Sequence, residues 1–445
     1  MINLNNNLRP YKILLCATIL SLFGLSTISL AETIDDFTPA KESLEDAWEI
    51  AASKNYRLKA AEQRHLSAQD QISEAKSQRL PKVILTANYL SLDNPPTIQA
   101  NFSGNDFTFS YWEQNALYYS VYSVLPLYTS GRIKEALAAA KEQSDAAGLD
   151  TEAEKQNLKM AVARAYIDIL RANQGKLLAQ SHVNNLAKHQ ADVSNLKRQG
   201  LVSKSDLLSV NVSLADARQG LTRSKNLSEL TVATYNQLLG RALDTKPALL
   251  EPDAPTLSNN IAELSLTAIQ QREELIALRK RAKALLHNAV SVKSATKPQI
   301  LLGGGYGYQE NKNQLYEDVW FANIGMVWEL FDGGTSRHRS NSLNRQAAEL
   351  KAQHDDLSGL IRLQVRHAWL QLAETRERVA VSKDSIAQAD ENLRVTRNRY
   401  REGLSSHSEV LDAETLRIKA QSNYVNARYD TLLTTLQLKR ELGEL

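Results

Sequence analysis

The sequence predicts a mainly α-helical chain with four β-strands, built as two copies of a β-hairpin feeding a very long helical hairpin. Three observations lead there: where the prolines fall, a seven-residue spacing of apolar positions, and a set of turns that recurs at constant offset.

The N-terminus comes first. Arg9 and Lys12 precede an apolar run from Ile13 to Leu25, and Ser29-Leu30-Ala31 puts small residues where a signal peptidase reads. Residues 1–31 therefore read as a secretory signal peptide, its apolar run too short to cross a bilayer. The single cysteine, Cys16, lies inside it, and the bulky Leu14 and Leu15 before it do not suit a lipid-attachment signal. A mature chain without cysteine has no disulfide framework and no thiol chemistry. Losing Arg9 and Lys12 leaves 51 basic residues (53 less 2) against 50 acidic ones. That balance points to neither nucleic acid nor an anionic surface. Beyond the signal, no apolar run reaches the ~20 residues of a transmembrane helix, so membrane entry would require a closed β-barrel.

The ten prolines leave two long stretches free of the strongest helix breaker, 127–246 and everything after 298. Both stretches are rich in good helix formers. In the second, Val365, Leu372, Val379, Ile386, Leu393 and Tyr400 recur every seven residues, each of the first five followed three places on by Ala368, Thr375, Ser382, Ala389 or Thr396. This spacing predicts supercoiled helices in close approach. Ala165, Ala172, Ala179, Leu186 and Val193 give the first stretch a similar seam. As single helices, 131–199 and 334–402 would each be roughly 100 Å long.

The strands alternate instead. Ala322, Ile324, Met326 and Trp328 oppose Asn323, Gly325, Val327 and Glu329, and their partner 300–308 puts Gly303, Gly305 and Gly307 on one face. The first half offers strands at 83–90 and 116–127. Of the 5 Trp, 16 Tyr and 7 Phe, 17 lie within 89–128 and 306–331, as expected of aromatic girdles around a membrane barrel.

An offset of 203 residues then carries Gly131 to Gly334, Ala165-Tyr166 to Ala368-Trp369, Gly200-Leu201 to Gly403-Leu404, and Leu239-Gly240 to Leu442-Gly443. Between the strands the offset is 217 (Pro81 to Pro298), so the first strand connection is 14 residues longer and reads as an exposed loop. The division is 32–256 for the first repeat, with a helix near 41–79, a strand pair at 81–127, a helical hairpin at 131–240 and a linker at 241–256. The second, 257–445, has a helix near 260–296, a strand pair at 298–331 and a helical hairpin at 334–443. Four strands cannot close a membrane barrel, but three copies supply twelve.

This layout resembles the outer-membrane factor family typified by TolC. The resemblance rests on Gly200-Leu201-Val202-Ser203-Lys204-Ser205-Asp206, on the segment from Gly403-Leu404-Ser405-Ser406 to Ala413, on Asn426-Ala427-Arg428-Tyr429, and on Leu330-Phe331-Asp332-Gly333-Gly334. It implies a homotrimer with a 12-stranded barrel in outer-membrane lipid, continued by a periplasmic α-barrel. It also implies docking to a periplasmic adaptor and an inner-membrane transporter, as the exit duct of a tripartite efflux pump or type I secretion system. By the same resemblance Glu409 and Asp412 form an acidic ring at the gate, and Tyr400, Ser205 and Asp206 latch the closed state. Gly200, Leu201, Val202 and Ser203, with Gly403, Leu404, Ser405 and Ser406, form the adaptor-docking tips. Where the family's best-known member has an arginine, this chain has Ser405, which removes one latch.

No nucleophile sits beside a base, no metal-ligand spacing appears, and Gly303-Gly304-Gly305 lacks the Lys-Ser/Thr of a phosphate loop, so the chain reads as a non-enzyme without cofactor or nucleic-acid partner. His182 and His189, seven apart, read as surface polar residues. The alternatives are a periplasmic adaptor-like protein, which needs one hairpin between compact β-domains, and a structural coiled coil, which has no use for aromatic strands.

Overall fold

The structure, a computed structural model, describes residues 41–253 and 260–445. The predicted signal peptide, its cleavage site after Ala31, and Pro255 of the predicted linker lie outside the described residues.

Two helices, α1 (Leu44–Lys54) and α2 (Tyr56–Ser77), occupy the span predicted as one. The break is Asn55, which ends α1 with extended backbone and caps α2, its side-chain oxygen accepting from the N–H groups of Arg57 and Leu58. Its amide also donates to Leu238 O at 3.2 Å, fixing the kink to a distant helix end. The second repeat breaks likewise at Arg272, between α5 (Ile261–Gln271) and α6 (Glu273–Lys293). Neither break is marked by glycine or proline.

The strands are β1 (Lys82–Ser91), β2 (Thr97–Phe102), β3 (Asn105–Ser110), β4 (Asn115–Tyr128), β5 (Gln299–Gln309) and β6 (Asp318–Val327). The expectation of four strands is therefore corrected to six among the described residues. The longer connection is not irregular: it forms the separate hairpin β2–β3, turning at Ser103-Gly104, both with positive φ. The other four make one antiparallel sheet in the order β1-β4-β5-β6, so β4–β5 joins the two repeats. One face carries Val83, Leu85, Val121, Tyr306, Ile324 and Met326. The opposite face carries Thr86, Ser120, Gly303, Gly305 and Asn323, with Thr86 and Ser120 hydroxyls 2.8 Å apart. Gly305 is needed because a β-carbon there would lie 2.7 Å from Tyr122 Cα in the neighbouring strand.

α3 (Arg132–Arg198) and α7 (Thr335–Arg401) are continuous helices of 67 residues each, roughly 100 Å long, returning as α4 (Lys204–Leu238) and α8 (His407–Leu442). The heptad on α7 is inward-facing, with Val365, Leu372 and Leu393 buried. Midway along the rods, α1 packs Leu44, Ala47 and Ala51 against Val162, Tyr166, Tyr235 and Leu436. The α5 helix lays Leu264 and Ala268 on Ile361, Val365 and Leu438. Tyr166 is fully buried, yet its hydroxyl lies 2.7 Å from Glu42 O and 2.5 Å from Leu250 O, its one proton directed between the two carbonyls, tying the linker to α3. No described helix is long and apolar enough to cross a membrane.

Candidate gate at the helical tips

Both tips use the same backbone chemistry. Gly200 and Gly403 take left-handed φ values of 77° and 76°. The amides that follow reach back to free helix-end carbonyls: Leu201 N to Leu196 O at 3.0 Å and Gly200 N to Lys197 O at 3.0 Å, Leu404 N to Arg399 O at 2.8 Å and Gly403 N to Tyr400 O at 3.1 Å. These are paired Schellman closures, in which glycine avoids the Cβ clash of left-handed backbone. Ser203 and Ser406 then cap α4 and α8, each in a reciprocal box with the acid three residues on.

That box assigns two predicted gate residues a structural role. Asp206 accepts from Ser203 N (3.0 Å) and Ser203 Oγ (2.9 Å). Glu409 accepts from Ser405 Oγ (2.7 Å), Ser406 N (3.1 Å) and Ser406 Oγ (2.9 Å). The Ser405 hydroxyl, followed by the Ser406 groups, holds the Glu409 carboxyl below the usual carboxylate range. Ser405 thus fastens Glu409. Asp412 and Ser205 are exposed, and so are Leu201 and Leu404 at the outermost turns, 68% and 66% accessible.

Tyr400 is not joined to Asp206 by a hydrogen bond within the protomer. Its hydroxyl is buried without a partner among the described residues, and burial, then the charges of Asp206 and Asp192, push its pKa up. The ring packs edge-on against His189, with centroids 5.6 Å apart.

The surface assignment of the histidines fails for His189. It is 6% exposed on α3, and its Nε2 lies 3.0 Å from Nδ1 of His407, 5% exposed at the start of α8. Above this pair the carboxylate of Glu414, 2% exposed, accepts from Asn185 Nδ2 (3.1 Å) on α3 and Arg397 Nη2 (3.2 Å) on α7. His182 Nδ1 stands 3.6 Å from it, and Arg417 Nη1 3.7 Å. Burial raises the Glu414 pKa, but His182, Arg397, Asn185 and Arg417 together outweigh it and hold the group ionised. The sequence carried a signal for this tier. His182 and His189 fall three places after Ala179 and Leu186, on the second line of the same heptad seam.

Residues 48–241 and 264–444 match the family described as outer membrane efflux protein. The outer membrane protein TolC of Vibrio cholerae is 24% identical over 449 residues, 96% of this chain and 94% of that protein. The outer membrane efflux protein BepC of Brucella suis is 21% identical across 72% of this chain and 70% of its own. Among solved structures, the outer-membrane channel OprN superposes with a TM-score of 0.75 at 20% identity, covering 90% of each chain. The outer membrane protein VceC of Vibrio cholerae gives 0.75 at 19% identity, covering 90% of this chain and 96% of that one.

Proposed function

Because the chain belongs to the outer membrane efflux protein family, we propose that it is one third of an outer-membrane exit duct, a passive conduit serving a tripartite efflux pump or type I secretion system. The observation that carries this reading is the four-stranded sheet, whose outer strands β1 and β6 each have one edge unpaired in the protomer. Unpaired edges are excluded from lipid, and three such sheets supply the twelve strands of a closed barrel. The outward face supports it. Val83, Leu85, Ile324 and Met326 are each more than 60% exposed. Tyr119 stacks on Tyr308 at 5.0 Å toward one end of that face, and a bulge between Pro126 and Tyr128 sets Tyr128 opposite Ile300 toward the other. Nine residues of strand span about 30 Å. Tilted by ~40°, they cover about 23 Å, close to the apolar band of such barrels.

In this reading the first and second repeats are 32–256 and 257–445, each contributing one strand pair and one hairpin to the ring, and residues 1–31 direct export. The tips Gly200–Ser203 and Gly403–Ser406 meet a periplasmic adaptor, which couples the duct to an inner-membrane transporter. Glu409 and Asp412, three copies of each, form a ring whose negative field favours cations. Membrane fractionation with chemical cross-linking tests the reading: the chain is expected in the outer membrane as a trimer. Recovery as a soluble periplasmic monomer overturns it and restores the adaptor-like and coiled-coil alternatives.

A further inference from the structure

The two helical hairpins are joined near the tip by a buried contact between α3 and α8. His189 and His407 lie with ring planes 10° apart and centroids 5.0 Å apart, and Tyr400 of α7 closes over both rings. The 3.0 Å contact needs one of the facing nitrogens bare, because two N–H groups cannot bond each other. It therefore survives with at most one ring charged. Burial opposes even that charge, and the neighbouring acids are already engaged. From α3, Asp192 pairs with Arg401 at 3.9 Å. From α8, Glu414 is bonded to Arg397 and Asn185; from α4, Asp206 is held in its own capping box. Arg397 of α7 adds positive charge near His189. The outer nitrogen of His407, Nε2, and the Tyr400 hydroxyl are both buried with no hydrogen-bond partner among the described residues.

We propose that His189 and His407 are positioning residues of the gate, a proton-sensitive clasp that holds the second hairpin against the first and parts when the periplasm becomes acidic. His407 is two residues before Glu409 and five before Asp412 on the same helix. Release of the clasp therefore frees the segment that carries the acidic ring. The proposal rests on the exit-duct reading.

The direction follows from linkage. Burial, then the charges of His407 and Arg397, push His189 down to about 4, and burial pushes His407 down against the opposing charge of Asp206. A free imidazole titrates near 6.5. The clasp thus contributes its full stabilisation above about pH 6.5 and loses it as pH falls from there towards about 4.

The experiment is planar-bilayer conductance of the full-length channel from pH 7.5 to 4.5, comparing wild type with His189→Phe/His407→Phe, which removes the titrating nitrogens. Wild-type conductance should rise about three- to tenfold on acidification, a tenfold change in equilibrium corresponding to one pKa unit. The double variant should stay flat. The same rise in the double variant, or a flat wild-type profile, overturns the clasp. If the variant does not assemble, hydrogen exchange on wild type decides: corrected for intrinsic rates, protection over 182–198 and 404–415 should fall at pH 5, and unchanged protection overturns the proposal. Absence of any channel at any pH, with no trimer, counts against the duct reading instead, and exchange on the chain still decides the clasp.

Discussion

The first and second helical hairpins match in length, turn and cap, and differ in what their returning helices bury. At corresponding positions, Asn211 of α4 is exposed while Glu414 of α8 is 2% exposed, and Lys204 is exposed while His407 is 5% exposed. On the descending helices, Asn392 is exposed where His189 is buried. The reason is placement. The α8 helix lies against both α7 and α3, whereas α4 packs chiefly on α3. Duplicated backbone chemistry reproduces the shape of the hairpin; near the tips, buried charge and imidazole are added where one hairpin meets the other. The copies therefore share a scaffold and divide the labour of holding the tip.

The largest test of this division is Glu414→Ala against Asn211→Ala. Removing Glu414 leaves Arg397 facing an emptied buried site, a change that typically costs about 3 kcal/mol, whereas an exposed asparagine is worth within about 0.5 kcal/mol. Thermal unfolding of the purified protein should separate the two variants clearly, and equal shifts would break the comparison. Next come the shared parts. Gly200→Ala and Gly403→Ala should each cost about 1–2 kcal/mol, since each forces a β-carbon into left-handed backbone. Ser203→Ala and Ser406→Ala should each cost about 1 kcal/mol through the lost cap. Local hydrogen exchange at the starts of α4 and α8 checks both pairs, and an effect confined to one hairpin would show that the turns are not equivalent. The smallest expected effect is electrical. Asp412→Asn should lower cation preference, read as a reversal potential closer to zero under a KCl gradient, while Ala at its counterpart Ser209 leaves it unchanged. An unchanged value for Asp412→Asn removes the acidic ring.

These pairs also separate what was legible in the sequence from what was not. The 67-residue helices and the glycine turns are written along the chain itself, in proline-free stretches, heptads and single glycines, and the 203-residue offset repeats those signals. The hairpin β2–β3 escaped notice because its alternation, Ile98-Ala100-Phe102 against Phe107-Phe109, is short and sits in a segment defined only by its extra length. Asn55 and Arg272 break helices through bonds to groups far away in sequence, Asn55 to Leu238 and Arg272 to Glu441 at 2.7 Å, so no local breaker announces them. Of the candidate gate, Glu409 and Asp206 were named from the family resemblance, but their capping bonds were visible only as geometry. His189 read as polar surface, and His407 and Glu414 carried no assignment, because burial of a polar side chain depends on which helix arrives opposite it.

The strand order has its own arithmetic. Because β4 of the first repeat pairs with β5 of the second inside the chain, the edges left over are β1 of the first repeat and β6 of the second. A ring of such sheets closes only by joining β6 of one chain to β1 of the next. Every junction around the wall, covalent or not, then sets a first-repeat strand against a second-repeat one. In the proposed ring, three chains would make six such seams, giving the barrel strands near-sixfold symmetry in their backbone. What would reduce it to threefold is the β2–β3 hairpin, present in the first repeat alone, and the side chains in which the repeats differ.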